Sequence, residues 1–434
     1  MKPSSTFDFN SILRAGDTVA WPQGTGEPRG LTRRLVAVRH SLPPVRLFFG
    51  MMTSDTVSPD CADRFEMTGL NGAGSNRRLT AAGVLNVVPV HVSSIARFID
   101  AGTLPVDIAL IRVRPAAVPG HYTVGVVADY TRALVKKARC VIAELDERMP
   151  VTADDALIAA DEIDTLLEAD ADAILLQDAE PSAAERAVAL HVASTIPDKA
   201  TVQFGIGGLS VAVAQALKGH RDIGVHSGVV SDALVDLIEA GVVTNAHKGF
   251  DEGRSVTGCL FGSHRLNAHA DRNPAIALRA ATHTHGADIM ARLNRLYSVN
   301  AAIEVDLTGQ VNAEQAGSRY LGAVGGQIDF VRGAQLSRGG RSIIALPSTT
   351  PDGRTSRIVA SLDGRPVTTA RSDVDLIVTE YGVADLRGCS LARRVEQLAA
   401  IAHPDFREAL LREARDGVRP QPASQSAAPE VHHA

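Results

Sequence analysis

A glycine-rich segment covers residues 203–210 and reads Gln-Phe-Gly-Ile-Gly-Gly-Leu-Ser. It follows a short apolar run and precedes an apolar, helix-like segment. Glycines at a strand-to-helix turn leave backbone N–H groups that suit a phosphate or pyrophosphate. The segment is not a full dinucleotide fingerprint, because Ser210 stands where the third glycine belongs, and no P-loop lysine follows. On this pattern alone, ligand binding and a tight turn without a ligand stay equally open.

A second glycine cluster reads Gly-Ala-Val-Gly-Gly-Gln-Ile-Asp-Phe over residues 322–330. Three glycines in five residues permit unusual dihedral angles and close approach of the backbone, at an entropic cost that a plain loop does not need. We therefore favour ligand contact as the reason for this cluster.

Two carboxylates lie between the glycine clusters, in the segment Asn-Ala-Ala-Ile-Glu-Val-Asp-Leu at residues 300–307. Alternation along a strand places Asn300, Ala302, Glu304 and Asp306 on one face. Paired carboxylates suit acid/base chemistry, but an ordinary solvated strand face fits the same pattern and is favoured on this pattern alone.

The histidines give no catalytic or metal-binding pattern. His226 and Ser227 are neighbours in a predicted strand, so their side chains point to opposite faces and form no Ser–His dyad. Four more histidines lack metal-ligand spacing on a helix face, and we expect them at surface or core positions, with no metal site. They are His264, His269, His283 and His285.

The elements that must position these residues are short apolar strands separated by helical segments. Runs of this kind favour mainly parallel sheets covered by helices, so the predicted fold class is α/β. The predicted strands are Val45–Phe49, Leu85–Val90, Ile108–Val113, Val141–Leu145, Thr201–Phe204, Ile223–His226, Ile343–Leu346 and Leu376–Thr379.

Composition indicates a globular chain of about two to three domains, since 434 residues are 45% hydrophobic and 21% charged. The 44 basic and 49 acidic residues give a net charge of −5 without a basic block, which argues against nucleic acid as a partner. We expect no membrane association and a cytoplasmic location, because the N-terminus has no apolar core and the longest uncharged run, residues 200–217, contains glutamine, serine and glycine residues that favour a strand, turn and helix.

We place a domain boundary near residue 180, where an apolar run gives way to Gln-Asp-Ala-Glu-Pro-Ser before a new helical segment. The prediction is an N-terminal domain over 1–180 and a C-terminal domain over 181–416. Residues 417–434 are rich in Pro, Ser, Gln and Ala without apolar periodicity, and we expect this tail to be disordered.

Taken together, these segments resemble the acetyl-CoA hydrolase/transferase family, which includes 4-hydroxybutyrate and butyryl/acetate CoA-transferases. The resemblance covers nearly the whole chain and is most specific in the C-terminal half. Its strongest strings are GIGGL (205–209), IGVHS (223–227), IEVDLTGQVNAE (303–314), GGQIDF (325–330) and VTTARSDVDLIVTEYGVADLRG (367–388).

The resemblance implies two related open α/β domains with the active site in the cleft between them. It implies acyl-CoA as a reactant, a small carboxylate as the second reactant where the reaction is transfer, no permanently bound cofactor, and a homodimer. Residues expected to contact coenzyme A or the thioester are Gly205, Ile206, Gly207, Gly208, Leu209, Asn300, Gly322, Gly325 and Gly326.

Gly228 is where the sequence departs from the family. The family's transferases carry a nucleophilic glutamate directly after the His-Ser or His-Thr pair, and glycine supplies no nucleophile there. Three readings follow: hydrolysis of short-chain acyl-CoA, which we favour; transfer with another carboxylate, Glu304 first and Asp329 next; or binding of an acyl-CoA without turnover.

Overall fold

The computed structural model describes residues 7–154 and 157–418, and two open sheets dominate this part of the chain. The strands are β1 (Thr18–Trp21), β2 (Val45–Phe49), β3 (Phe65–Gly69), β4 (Leu85–Val87), β5 (Ile108–Pro115), β6 (His121–Thr123), β7 (Cys140–Leu145), β8 (Ala153–Asp154), β9 (Ile158–Ala159), β10 (Thr165–Glu168), β11 (Thr201–Gln203), β12 (Gly224–Val230), β13 (Ser255–Leu260), β14 (Ile276–Leu278), β15 (Leu296–Ala301), β16 (Glu304–Asp306), β17 (Val311–Asn312), β18 (Gln315–Ala316), β19 (Arg319–Tyr320), β20 (Arg341–Ala345), β21 (Ile358–Val359), β22 (Leu376–Thr379) and β23 (Gly382–Asp385).

Helices lie between most of these strands. They are α1 (Arg29–Ala37), α2 (Asn76–Ala81), α3 (Val92–Asp100), α4 (Thr131–Lys137), α5 (Ala183–Thr195), α6 (Gly208–Ala216), α7 (Asp232–Glu239), α8 (His264–Ala270), α9 (Ala281–Thr284), α10 (Ala287–Met290), α11 (Gln327–Leu336), α12 (Leu391–Ile401) and α13 (Pro404–Val418).

The first sheet has the order β10-β7-β5-β1-β2-β3-β4, and β6 and β9 extend it beside β5. Its main path is parallel, and only the pairs with β6 are antiparallel. The central strand β5 is buried along most of its length, as expected of a parallel strand covered on both faces.

The second sheet has the order β23-β22-β20-β15-β11-β12-β13-β14-β8 and is parallel except at β23. Its strands lie in residues 201–385 apart from β8, which comes from the N-terminal part of the chain and pairs with β14. The two halves are therefore joined by strand pairing as well as by the chain itself. The α/β class with mainly parallel sheets is confirmed.

All eight predicted strands are present, and the ends of β2 and β22 agree with the prediction. The single strand expected over residues 300–307 is wrong. β15 ends at Ala301, and Glu304 begins β16 in a separate small sheet with β17 and β21. The chain changes sheet between these strands, so the predicted common face for Asn300 and Glu304 does not exist.

One cluster of buried apolar side chains runs through both halves and includes Ile111, Val126, Leu260 and Val378. A shared core of this kind holds the facing ends of the two sheets in a fixed relation. Helix α13 extends to Val418, and the rest of the predicted disordered tail, residues 419–434, lies outside the described residues. Within the described ranges, no helix is both long and apolar enough to cross a membrane.

Candidate active site

A cavity of about 260 Å³ lies between the two halves, at the carboxyl ends of β11, β12 and β15. Ligands of open α/β proteins bind at this edge of a sheet. The N-terminal half contributes Gln23, Met51, Asn71, Ala73, Val92 and Asp129. The C-terminal half contributes Gln203, Phe204, Gly205, Ile206, Gly228, Val229, Cys259, Phe261, His285, Asn300, Ala323, Gly325, Gly326, Gln327 and Phe330.

Residues 127–129 connect the halves beside this cavity. Val127 forms an antiparallel bridge with Cys259, and the Ala128 N–H donates to the Gly258 carbonyl at 3.0 Å. The Ala281 N–H donates to the Asp129 carbonyl at 2.8 Å. These backbone hydrogen bonds fix the Asp129 side chain of the first half over the strand ends of the second.

His285 packs against the position where Gly228 has no side chain. A Cβ placed on Gly228 lies 2.8 Å from His285 Cε1 and 2.9 Å from Nε2, closer than ordinary carbon contacts. The ring also packs on Phe330, with centroids 4.7 Å apart, and its Nδ1 is 2.8 Å from the Thr284 hydroxyl. The space beside Gly228 is therefore occupied by an imidazole that already has neighbours on several sides.

The structure places His285 on the cavity, where no sequence pattern indicated it. Burial lowers the pKa of His285 to about 3, so the ring is neutral at physiological pH. His226, in contrast, points away from Ser227: its Nε2 lies 3.0 Å from the Thr284 carbonyl, while the Ser227 hydroxyl donates to the Phe204 carbonyl. The prediction that these two form no dyad is confirmed.

Among the described residues that line the cavity, Asp129 is the one that carries a carboxyl group. Its residue is 4% exposed, and the Gln23 amide donates to its Oδ2. Its Oδ1 is buried and has no hydrogen-bond partner among the described residues. Desolvation raises the pKa of Asp129 to about 7, and the Gln23 hydrogen bond only partly opposes this rise.

A second unsatisfied polar group on the cavity is the Gln327 side chain. Its amide nitrogen and oxygen are both buried without a hydrogen-bond partner in the described part of the chain. Gln327 is the first residue of α11, so the backbone N–H groups of that helix start at the cavity as well. Buried polar groups are normally hydrogen-bonded, and an unpaired amide on a cavity wall indicates a ligand polar group as its partner.

Five of the predicted binding residues line the cavity: Gly205, Ile206, Asn300, Gly325 and Gly326. The other residues of the first glycine cluster lie beside it. Gly207 has φ +93° and caps α6, a conformation that favours glycine. A side chain on Gly208 would contact the Glu185 carboxylate, and Leu209 lines a neighbouring groove.

Gly322 does not line the cavity with the other predicted residues. A Cβ on this residue would overlap the Ala313 carbonyl oxygen, and the Gly322 carbonyl accepts from the Gly72 N–H at 2.8 Å. Close packing of two backbones accounts for glycine here. The expectation that Gly322 lines the thioester end is therefore not supported by its position.

Both alternative carboxylates are held in contacts of their own. Glu304 is outside the cavity lining, and its carboxylate forms an ion pair with the Arg365 guanidinium at 2.7 Å. Asp329 is also outside the lining and accepts from the Ser93 hydroxyl at 2.7 Å and from the Ser93 N–H at 3.1 Å. Each carboxylate is therefore held by a partner that also lies outside the cavity lining.

A groove of about 520 Å³ adjoins the cavity along the ends of β15 and β20. Asn300 lines the cavity, and the next two residues, Ala301 and Ala302, line the groove. Arg357 is a half-buried cation on its wall, and partial burial lowers the pKa of this guanidinium. Among the residues described, no cluster of His, Cys, Asp and Glu is arranged to hold a metal ion.

Similarity to known proteins agrees with this geometry. The Acetyl-CoA hydrolase/transferase N-terminal domain matches residues 2–176, and the C-terminal domain of that family matches residues 262–414. The chain belongs to the acetyl-CoA hydrolase/transferase family. It is thus an enzyme that acts on acyl-CoA, and the resemblance inferred from the sequence is confirmed.

Individual relatives match this chain over both halves. The chain is 35% identical over 398 residues to a 4-hydroxybutyrate coenzyme A transferase of Clostridium kluyveri, covering 91% of this chain and 93% of that protein. The crystal structure of RipA from Yersinia pestis superposes with a TM-score of 0.88 at 32% identity, covering 94% of this chain and 95% of that one. An acetyl-CoA hydrolase of Eremothecium gossypii is 32% identical over 216 residues, or 48% of this chain and 39% of that protein.

Proposed function

We propose that this family member hydrolyses short-chain acyl-CoA thioesters. The observation that carries the proposal is the surroundings of Gly228: this residue has no side chain, and the His285 ring fills the space beside it. The resemblance of the IGVHS segment to the family implies that its transferases hold their nucleophilic glutamate at this position. Without a carboxylate at this position, the enzyme lacks the group that would retain coenzyme A between two half-reactions. Water is then the acceptor of the acyl group.

Coenzyme A is proposed to extend from the cavity into the adjoining groove. Ile206, which is 48% exposed, offers apolar surface at the cavity. Arg357 offers a cation in the groove, and a guanidinium suits a phosphate oxygen pair. The thioester then lies at the carboxyl ends of β12 and β15, with the nucleotide end of coenzyme A away from the N-terminal half.

The thioester carbonyl oxygen is proposed to accept a hydrogen bond from the Gln327 amide. This amide is buried and has no hydrogen-bond partner among the described residues, and it stands at the positive end of the α11 dipole. Negative charge that develops on the carbonyl oxygen during attack is stabilised most by donors that are already oriented. Gln327 therefore supplies part of the oxyanion site.

The acyl group is proposed to be short. The cavity of about 260 Å³ is below the range of about 300–1,000 Å³ that is usual for ligand pockets. Part of that volume must also hold the thioester. Met51, Phe261 and Phe330 form apolar parts of the wall, which suits an aliphatic acyl chain.

The second candidate function is transfer of coenzyme A to a small carboxylate. Similarity over nearly the whole chain to a CoA transferase favours it. It requires a carboxylate other than one at position 228, and Glu304 is committed to Arg365 outside the cavity. The cytoplasmic location and the homodimer stay predictions from the sequence.

The experiment incubates the purified protein with acetyl-CoA and with longer acyl-CoAs, each with and without acetate. Free thiol is followed colorimetrically and exchanged thioesters by mass spectrometry. Hydrolysis predicts thiol release that does not depend on acetate and falls as the acyl chain lengthens. Exchange that occurs only with acetate contradicts hydrolysis and supports transfer.

A pair of variants on α11 tests the oxyanion site. Gln327→Ala should reduce the rate of thiol release by roughly 10²–10³, the usual effect of losing one oxyanion donor. Gln335→Ala is the matched control, because this exposed glutamine lies on the same helix, outside the cavity lining, and its side-chain amide donates to the Asp373 carbonyl at 2.7 Å. Equal rates for the two variants contradict the role of Gln327.

A further inference from the structure

Asp129 combines three features that no other described carboxyl group shares with it. It lines the cavity, it is nine-tenths or more buried, and one of its carboxyl oxygens has no hydrogen-bond partner among the described residues. A buried, unpaired carboxyl oxygen lowers the stability of the folded state, so such a group is seldom present without a function.

The contacts of Asp129 orient the unpaired oxygen. Gln23 donates to Oδ2, and the backbone around Asp129 is tied to Gly258 and Ala281 of the second half. Oδ1 is thereby left as the buried carboxyl oxygen without a hydrogen-bond donor among the described residues. Gln23 acts as a positioning residue, because its side-chain amide is held at both ends. Its nitrogen donates to Asp129, and its Oε1 accepts from the Met51 N–H at 3.4 Å.

Glu144 shows that a raised pKa by itself does not mark an active site. Burial raises the pKa of Glu144 to about 7, the same value as for Asp129. Glu144, however, accepts from the Leu31 N–H at 2.6 Å, and it does not line the cavity. The difference between the two residues is geometric: Asp129 lines the cavity and has a carboxyl oxygen without a hydrogen-bond partner among the described residues.

We propose that Asp129 is the general base that activates water for attack on the acyl-CoA thioester in the interdomain cavity. The proposal rests on the proposed hydrolysis and deepens it, because it names the residue that moves the proton. Asp129 comes from the N-terminal half, whereas Gly228 and Gln327 come from the C-terminal half. Catalysis then depends on the backbone hydrogen bonds of residues 127–129, because they hold the two halves together beside the cavity.

The chemical step balances with water and the thioester alone. The Asp129 carboxylate removes one proton from water as the water oxygen bonds to the thioester carbon, and the carbonyl π electrons move to the oxygen near Gln327. Collapse of the tetrahedral intermediate breaks the carbon–sulfur bond, and the Asp129 carboxylic acid returns the proton to the departing thiolate. The products are the carboxylic acid and coenzyme A, and Asp129 is ionised again.

The described titratable groups that neighbour Asp129 or line the cavity with it do not titrate near neutrality. Burial raises the pKa values of Tyr130 and Cys259, so both are neutral, and burial lowers the pKa of His285 so that its ring is neutral too. Activity should therefore rise with pH through a single ionisation near 7, the pKa of Asp129.

The test compares Asp129→Asn with Glu144→Gln, which removes a carboxyl of similar burial and pKa outside the cavity. Thiol release from acetyl-CoA, coenzyme A binding by calorimetry and the melting temperature are measured for both. Asp129→Asn should lose about 10²–10⁴-fold in rate and keep coenzyme A binding, whereas Glu144→Gln should keep the rate within a few-fold.

The outcomes separate this inference from the proposed function. Thiol release by the wild type with an undiminished rate in Asp129→Asn overturns the general base and leaves hydrolysis standing. A wild type that releases no thiol without acetate overturns the proposed function, and the inference falls with it. The wild-type pH profile covers the case of an unfolded variant, because a rate that is flat between pH 5.5 and 8.5 contradicts a base with a pKa near 7.

Discussion

Replacing Gly228 with alanine is expected to destabilise the protein through His285. The new Cβ lies 2.8 Å from Cε1 and 2.9 Å from Nε2 of that ring, and the ring is confined by Phe330 and by the Thr284 hydroxyl. Overpacking of a well-filled site costs about 1–3 kcal/mol. In a His285→Ala background the obstacle is gone, and alanine in a strand is favoured over glycine by about 0.5–1 kcal/mol.

A double-mutant cycle measures this coupling directly. The free energy of unfolding is obtained from urea titrations of the wild type, the two single variants and the double variant. The cycle should give a coupling of about 1–3 kcal/mol in favour of the double variant. Gly219→Ala is the matched control, because a Cβ on Gly219 meets no atom within 4 Å and should show no coupling to His285. Equal costs of Gly228→Ala in both backgrounds refute the steric account.

Gly228→Glu alone should give no carboxylate-dependent exchange, because the His285 ring blocks the new side chain. Gly228→Glu combined with His285→Ala should gain exchange, measured by mass spectrometry. Exchange in the single variant contradicts this prediction. Arg357→Ala should raise KM for acetyl-CoA at least several-fold with kcat little changed, and an unchanged KM removes Arg357 from the coenzyme A site. Lys248 is fully buried, and its ammonium donates to the Val225 and Arg254 carbonyls at 2.8 and 2.6 Å. Burial lowers its pKa to about 7, so between pH 7 and its ordinary value of 10.5 the unfolded state binds more protons and the free energy of unfolding rises with pH. From pH 7 to 9, the unfolding free energy of the wild type should rise by about 2 kcal/mol relative to that of Lys248→Met. A relative change of the opposite sign refutes the depressed pKa.

The sequence was sufficient to predict the α/β class and the eight strands, because strands buried in a parallel sheet consist of nearly continuous apolar runs. Val45–Phe49 and Leu376–Thr379 agree with the structure at both ends. The break after Ala301 was not predictable from the residue pattern, because the apolar Ala302 and Ile303 at the break are also compatible with one continuous strand.

The glycine clusters located the cavity but not the groups that do chemistry in it. Asp129, Gln327 and His285 are separated by between 42 and 198 residues, and only the paired sheets bring them together. The sequence around Asp129 gave no sign that this carboxyl group is buried at a cavity. The sequence predicts His285 only as a core or surface residue without metal-ligand spacing, because its position beside Gly228 is a property of the fold.

Gly322 shows that a glycine can be accounted for without a ligand. A Cβ on this residue would overlap the Ala313 carbonyl oxygen, and its contact with coenzyme A or the thioester stays a prediction. Sequence patterns report that the backbone comes close to something, and they do not distinguish a bound molecule from a neighbouring strand.

A single turnover in water enriched in ¹⁸O tests the central claim, that the cavity uses Asp129 to direct water onto the thioester. Enzyme in excess over acetyl-CoA is mixed without a carboxylate acceptor, and the label is located by mass spectrometry in the product and in the peptide that contains Asp129. The account predicts free coenzyme A, one ¹⁸O in the product carboxylate and none in the protein. Label in Asp129, or no release of coenzyme A until a carboxylate is added, contradicts it.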